Sequence, residues 1–286
     1  MPRPTKFAKT WRPKASLSKT DRTAQPAGND NGQEFVYGLH ALREVLRAGT
    51  RSLLRLHVIR DDAQYAEIVR LARSQEVPIS VEPRDRINRL VPQGNHQGIV
   101  GLVTAKSYVD EDELLDQVTR QHSPAFVIVL DNVQDPQNLG AILRTADAAG
   151  IQGIFIPKHR SVGLTSGVAR ASAGAVEYMR VARASNTNRL VEKLQSAEVM
   201  TCALDPSADI PYTDVDFTGP TALVFGAEGQ GIRPGVLKKC DYRASIPMLG
   251  RIDSLNLSVS VAIVLFEAMR QRRLADEPGD SSTLPG

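Results

Sequence analysis

Five short apolar runs punctuate the second half of the chain, at residues 126–130, 153–156, 199–203, 222–225 and 242–246. Each is too short for a helix and is bounded by turn-forming residues, which is the pattern of strands buried on both faces. Between them, residues 138–149, 189–195 and 255–272 repeat apolar positions at helical spacing. Strands joined through helices predict a parallel α/β sheet. The first half repeats the pattern on a smaller scale. A helix is expected at 40–48, closed by Gly49, and another at 65–75, with strands at 53–59, 78–81 and 98–103. The run at 255–269 approaches the hydropathy of a membrane span, but it is short and interrupted by Ser258, Ser260 and Glu267, so it reads as a core helix.

These patterns divide the chain into a basic arm at 1–34, a small α/β unit at 35–105, a polar, acidic linker at 106–122, a larger α/β domain at 123–274 and a frayed tail at 275–286. At 286 residues, 42% of them apolar, the chain has the bulk for two ordinary domains. The formal net charge is only +3, but it is unevenly spread. Within residues 1–30, Arg3, Lys6, Lys9, Arg12, Lys14, Lys19 and Arg22 face only Asp21 and Asp30, and few aliphatic residues accompany them. Such a segment cannot bury enough surface to offset its ordering entropy; it suits contact with nucleic acid or serves as a solvated leader. A transit peptide would need a repeating amphipathic face that the arm does not show. Arg43, Arg47, Arg51, Arg55, Arg60, Arg84, Arg86 and Arg89 make the small unit arginine-rich, which fits either phosphate contact or a solvated face.

Cys202 and Cys240 are the only cysteines and have no metal-ligand spacing, which suits a reducing cytoplasm. The five histidines are scattered, so no metal site is expected. Chemistry is expected instead in three polar segments. Residues 131–140 form a polar loop at the carboxyl end of a buried strand, where parallel sheets place ligands. Asn138 is placed to cap the following helix or brace that loop, and Arg144 lies in the helix, paired with Asp147 or aimed at an anion. Residues 224–232 follow another buried strand with three glycines around Glu228, a backbone that can approach a ligand closely. In the third segment, 246–270, Asp253 or Ser254 is expected to cap the apolar helix and make a rigid corner of Ser254, Leu255 and Asn256. The glycine spacing does not match a dinucleotide fingerprint, since no acidic ribose partner follows at the required distance.

With NxxxxxR at 138–144, GAEGxGI at 226–232 and IPMxGxxxSLNxSVxxxIxLFE at 246–267, the chain resembles the SpoU-type RNA ribose 2′-O-methyltransferases of the SPOUT class. The likeness extends over about residues 35–272. YGLHALREVL and HQGIVG in the small unit resemble the accessory domain of the subgroup that methylates a large-subunit ribosomal RNA guanosine. The resemblance implies a parallel-sheet domain with a deep trefoil knot, an N-terminal RNA-binding domain similar to ribosomal-protein folds, a homodimer and S-adenosylmethionine as cofactor. It implies cofactor contacts at Gly226, Gly231, Ile246, Met248, Leu255 and Asn256, and catalytic roles for Asn138, Arg144, Glu228, Ser254 and Asn256. Arg251-Ile252-Asp253 depart from the small or neutral residues usual there. A transfer RNA guanosine or a resistance-conferring ribosomal site remains an alternative substrate. A non-catalytic RNA-binding relative would lack one or more of Arg144, Glu228, Ser254 and Asn256, all present here.

Overall fold

The computed structural model describes residues 32–276 except Asp61, Gln93 and Asp253; most of the basic arm and the tail beyond 276 lie outside that range. The first strand, β1 (Gln33–Tyr37), begins within the stretch assigned to the arm. It is followed by α1 (Leu39–Ala48), β2 (Leu53–Val58), α2 (Ala66–Ser74), β3 (Ile79–Val81), α3 (Arg84–Leu90) and β4 (Ile99–Thr104). The strands form one sheet in the order β1-β4-β2-β3, antiparallel except for β2 with β3. Leu42, Val45, Ile68 and Val69 of the first two helices bury one face, while Ile87 and Val91 cover Tyr37 and Val100 on the other.

The acidic linker is not a bare connector. It holds α4 (Glu111–Thr119), whose first N–H groups, those of Asp112 and Glu113, bond to the Asp110 side chain. Leu114 and Val118, four residues apart, anchor that helix to the second sheet. The larger unit runs β5 (Phe126–Leu130), α5 (Pro136–Ala148), β6 (Gly153–Pro157), α6 (Ser166–Ala171), β7 (Val181–Ala184), α7 (Thr187–Ser196) and β8 (Met200–Leu204). It continues through β9 (Ile210–Pro211), β10 (Thr221–Phe225), α8 (Pro234–Leu237), β11 (Tyr242–Ser245) and α9 (Leu257–Asp276). The last helix therefore extends into the stretch read as tail. Its seven strands are parallel, in the order β7-β6-β5-β10-β8-β11-β9.

Alternation along β5 explains the layers. Phe126, Ile128 and Leu130 meet α5 and α9, whereas Val127 and Val129 meet α4 and α7. Every β5 residue is buried, so the strand carries no polar signal of its own. Arg272 fastens the far end of α9 by donating to the carbonyls of Pro124, Ala125, Phe217 and Gly219 while its guanidinium covers the Phe126 ring. Burial pushes its pKa down to about 10. No helix among the described residues is long and apolar enough to cross a membrane.

The two units meet at a buried ionic cluster. Arg51, whose side chain is 1% exposed, donates to Glu177, which is fully buried, through Nε at 3.0 Å and Nη2 at 2.6 Å. Its third nitrogen reaches Glu34. Lys106 Nζ donates to the Glu177 carbonyl at 2.8 Å, and Tyr178 donates to Glu44 at 2.6 Å. These bonds tie α1, β1 and the start of β2 to the segment after α6.

Candidate active site

With all seven strands parallel, their carboxyl ends share one edge, and the order reverses between β5 and β10. Crevices at such a reversal are where open parallel sheets take ligands. Here the loops after β8, β10 and β11 converge on a cleft of about 320 Å³. Gly226, Glu228, Gly231, Ile246, Met248, Ser254 and Leu255 line it, and so do Leu204, Asp205 and Phe225. Of the residues expected to touch a cofactor, only Asn256 is not on that wall.

The loop after β10 doubles back on itself. Ala227 and Gly231 exchange backbone hydrogen bonds of 3.1 and 2.9 Å. A Cβ on Gly226 would lie 2.0 Å from the Gly231 carbonyl carbon, so this turn closes only with glycine there. An ion pair between exposed Arg233 and buried Asp131 pins the loop's exit: Arg233 donates through Nε to Asp131 at 3.0 Å, through its backbone N–H at 2.9 Å, and through Nη2 to Thr187 Oγ1 at 2.9 Å. The bond to Asp131 holds the Arg233 pKa above its ordinary value. Sequence reasoning missed Asp131, Thr187 and Arg233. The only signal was an acid ending an apolar strand and a base following the glycine turn.

Glu228 stands at the centre of a polar network. Its Oε1 accepts from Asn138 Nδ2 at 3.0 Å, Asn256 Nδ2 at 2.7 Å and the Leu257 N–H at 3.2 Å. Asn256 also donates to Asn138 Oδ1 at 2.9 Å. The three segments singled out in the sequence thus meet in one closed ring of contacts.

Two capping assignments need correction. Asp135, not Asn138, caps α5, accepting from the Gln137 N–H at 2.9 Å, with Pro136 in the first turn. Asn138 is instead buried within that turn and turned toward Glu228. Ser254 is not the observed cap of α9: Asn256 Oδ1 accepts from the Ser258 N–H at 2.9 Å and the Val259 N–H at 3.4 Å. Ser254 is exposed on the cleft wall, and Asp253 lies outside the described residues. The helix starts later than its apolar run because Leu255 is drawn into the wall instead.

Arg144 lies on the solvent side of α5 and makes no hydrogen bond or ion pair among the described residues, Asp147 included. Its charge is free for a ligand. Asp205, on the cleft wall, accepts from Ser207 N–H at 3.1 Å and from Arg243 at 2.6 Å. Burial alone would raise its carboxyl, but these donors outweigh burial and hold the pKa below its ordinary value. The cleft therefore offers apolar walls, closely approachable backbone and a fixed carboxylate, which suit a small organic cofactor with both apolar and polar parts.

Residues 125–266 match the model of the SpoU rRNA methylase family. A putative TrmH family tRNA/rRNA methyltransferase of Bacillus subtilis, YacO, is 37% identical over 246 residues, covering 85% of this chain and 98% of that relative. The chain belongs to the SpoU rRNA methylase family. Its residues 35–109 match a second model, described as RNA 2′-O ribose methyltransferase substrate binding. The 23S rRNA (guanosine-2′-O-)-methyltransferase RlmB of Shewanella oneidensis is 38% identical over 243 residues, with 84% of this chain and 98% of that relative covered. Among solved structures, an AdoMet-bound rRNA methyltransferase from Sinorhizobium meliloti superposes with a TM-score of 0.71 at 28% identity, covering 84% of this chain and 88% of that one. Membership in this family accounts for the joint presence of a parallel-sheet unit and a separate small sheet.

Proposed function

We propose that this protein transfers a methyl group from S-adenosylmethionine to the ribose 2′-oxygen of a guanosine in large-subunit ribosomal RNA. The observation that carries the reading is the ring formed by Asn138, Glu228 and Asn256 beside the glycine-walled cleft. The names of the relatives from Shewanella and Sinorhizobium support the RNA and the cofactor. The small sheet matches an RNA substrate-binding model, and the 23S rRNA named for the Shewanella relative favours ribosomal over transfer RNA.

When bound, S-adenosylmethionine supplies an electrophilic methyl carbon on a sulfonium. The backbone at Gly226 and Gly231 and the side chains of Ile246, Met248 and Leu255 would hold the cofactor, with Glu228 anchoring the loop that carries the glycines. A ribose hydroxyl is a weak acid, so negative charge would grow on the 2′-oxygen as its proton passes to solvent water, before that charge is consumed in bonding to carbon. Arginine keeps its proton below a pH of about 12, so Arg144 acts as a cation that stabilises this charge or holds the neighbouring phosphate. Asn138, six residues earlier on the same helix, is about 9 Å away along its axis and braces the wall. Ser254, exposed on that wall, orients the ribose.

The same reading includes a homodimer and the knotted path of this family. Val259 and Phe266 of α9, 46% and 45% exposed, leave an apolar strip open for a second copy. The loops after β10 and β11, which share one cleft, are where the knot would lie. A cytoplasmic location fits a ribosomal substrate and two free cysteines. The test is Arg144→Ala: methyl transfer to large-subunit RNA should be lost while calorimetry shows cofactor affinity retained. Collapse of cofactor binding would refute the role given to Arg144. Mapping ribose methylation in RNA from cells lacking the protein identifies the nucleotide, and an unmethylated transfer RNA site would overturn the ribosomal assignment.

A further inference from the structure

The loop between β6 and α6 carries Lys158, His159 and Arg160, all exposed and without a hydrogen-bonded or ionic side-chain partner among the described residues. It leaves the same sheet edge as the cleft. Because β6 and β10 flank β5, the loop lies two strand spacings, about 10 Å, from the turn that carries Glu228. That is close enough for RNA seated at the cleft to pass over it. The loop is also held stiffly. Lys158 N–H donates to the Ala184 carbonyl at 2.8 Å, Val162 N–H to Val133 at 2.7 Å and Leu164 N–H to the Tyr108 hydroxyl at 2.9 Å.

Between these anchors Arg160 adopts a φ of +67°, a left-handed conformation that costs a side-chain-bearing residue energy. Nothing in its packing requires an arginine there, since the side chain stands in solvent. The helix that follows, α6, leads toward the small unit: Arg170 lies 5.3 Å above the Tyr37 ring of β1, its guanidinium exposed. Near its other end, α6 meets Pro136, two residues before Asn138. The Arg51–Glu177 cluster fixes the small unit against this same segment. A row of basic side chains without acidic partners among the described residues therefore runs from the small sheet, along α6 and the loop after β6, to the cleft.

Resting on the function proposed above, we propose that Lys158, His159, Arg160 and Arg170 form a phosphate track that grips the RNA backbone beside the target nucleotide, within the methylase unit itself. Phosphate contacts of this kind set register without reading sequence. The test combines Lys158→Gln, Arg160→Asn and Arg170→Gln; asparagine tolerates the left-handed backbone while removing the charge. Binding to in-vitro transcribed large-subunit RNA is measured across salt concentrations. The slope of log K against log salt should become shallower by about 2, and KM for RNA should rise about tenfold or more, with cofactor affinity unmoved. Arg120→Gln, which removes a cation beyond α4 at the opposite sheet edge, should leave the slope where it is. A triple variant with the wild-type slope and KM would overturn the track. If the wild-type protein binds this RNA but does not methylate it, the functional reading fails, and the change in slope still decides the track separately.

Discussion

The molecule holds two polar networks that do opposite jobs. At the junction of the two sheets, Arg51 and Glu177 are sealed from solvent, and three further groups, Glu34, Thr50 and Lys106, complete their bonding. At the cleft, Glu228 and Asn256 are exposed, and only one Glu228 oxygen is engaged among the described residues. Charges sealed away need every partner in place, because low dielectric makes each missing bond expensive. Such a cluster specifies one arrangement. An open network tolerates substitution energetically but fixes where a few atoms sit, and reactions depend on that placement. Stability is therefore expected to be concentrated at the junction and sensitivity of turnover at the cleft.

The largest effect that could break this contrast is Arg51→Ala. Leaving Glu177 buried without its partner should lower unfolding free energy by about 3–5 kcal/mol in denaturant titration. A loss below 1 kcal/mol would mean that the junction is not the sealed cluster described. Next comes Glu228→Ala, which strands the donors of Asn138, Asn256 and Leu257. Because the Glu228 side chain is itself exposed, water can take its place at these donors, so stability should fall by only about 1 kcal/mol, whereas methyl incorporation should fall about 100-fold through misplacement of the cleft wall. Equal and small effects on both would erase the distinction.

Asn256 belongs to both kinds of argument, and Asn256→Asp separates them. The substituted carboxylate still caps α9 but can no longer donate to Asn138 and Glu228, and it sets a second negative charge beside Glu228. Stability should change by less than about 1 kcal/mol, while turnover falls. Unaltered turnover would reduce Asn256 to a helix cap.

How far each network could be read beforehand follows from how local its signals are. Five of the seven strands of the larger sheet were visible because residues such as 126–130 are apolar throughout, whereas β7 and β9 were not, and the segments around Asn138, Glu228 and Asn256 were visible as polar interruptions. Their meeting was not, since Asn138 is 90 residues from Glu228 and 118 from Asn256. The resemblance supplied that connection. The α9 cap was misplaced because aspartate, serine and asparagine are all good caps within four positions, and only tertiary contacts decide among them. Helix α4 was overlooked although its acids suit a helix start and Leu114 and Val118 share a face; the acidic run dominated the reading. The junction left no trace in the pattern. Glu177 lies between Val176 and Tyr178 as any surface acid would, and its partner is 126 residues away.

The smallest effect probes the rim of the sealed cluster. Burial raises the Glu34 carboxyl above its ordinary value of 4.5, against the pull of Arg51. The folded protein then holds a proton more readily than the unfolded chain, so Glu34 favours folding most at pH below 4.5 and loses that contribution as pH rises through the raised folded value. Asp205 at the cleft is shifted the other way: its contribution is present above its ordinary 3.8 and fades as pH falls through a lower folded value. The two carboxyls thus act in separate windows, one above 4.5 and one below 3.8. Glu34→Gln should remove a downward slope of unfolding free energy just above pH 4.5 and leave the acid limb below 3.8 as it was. A change confined to the lower window would show that Arg51 holds the Glu34 carboxyl below its ordinary value instead, and that the sealed region ends at Arg51 and Glu177.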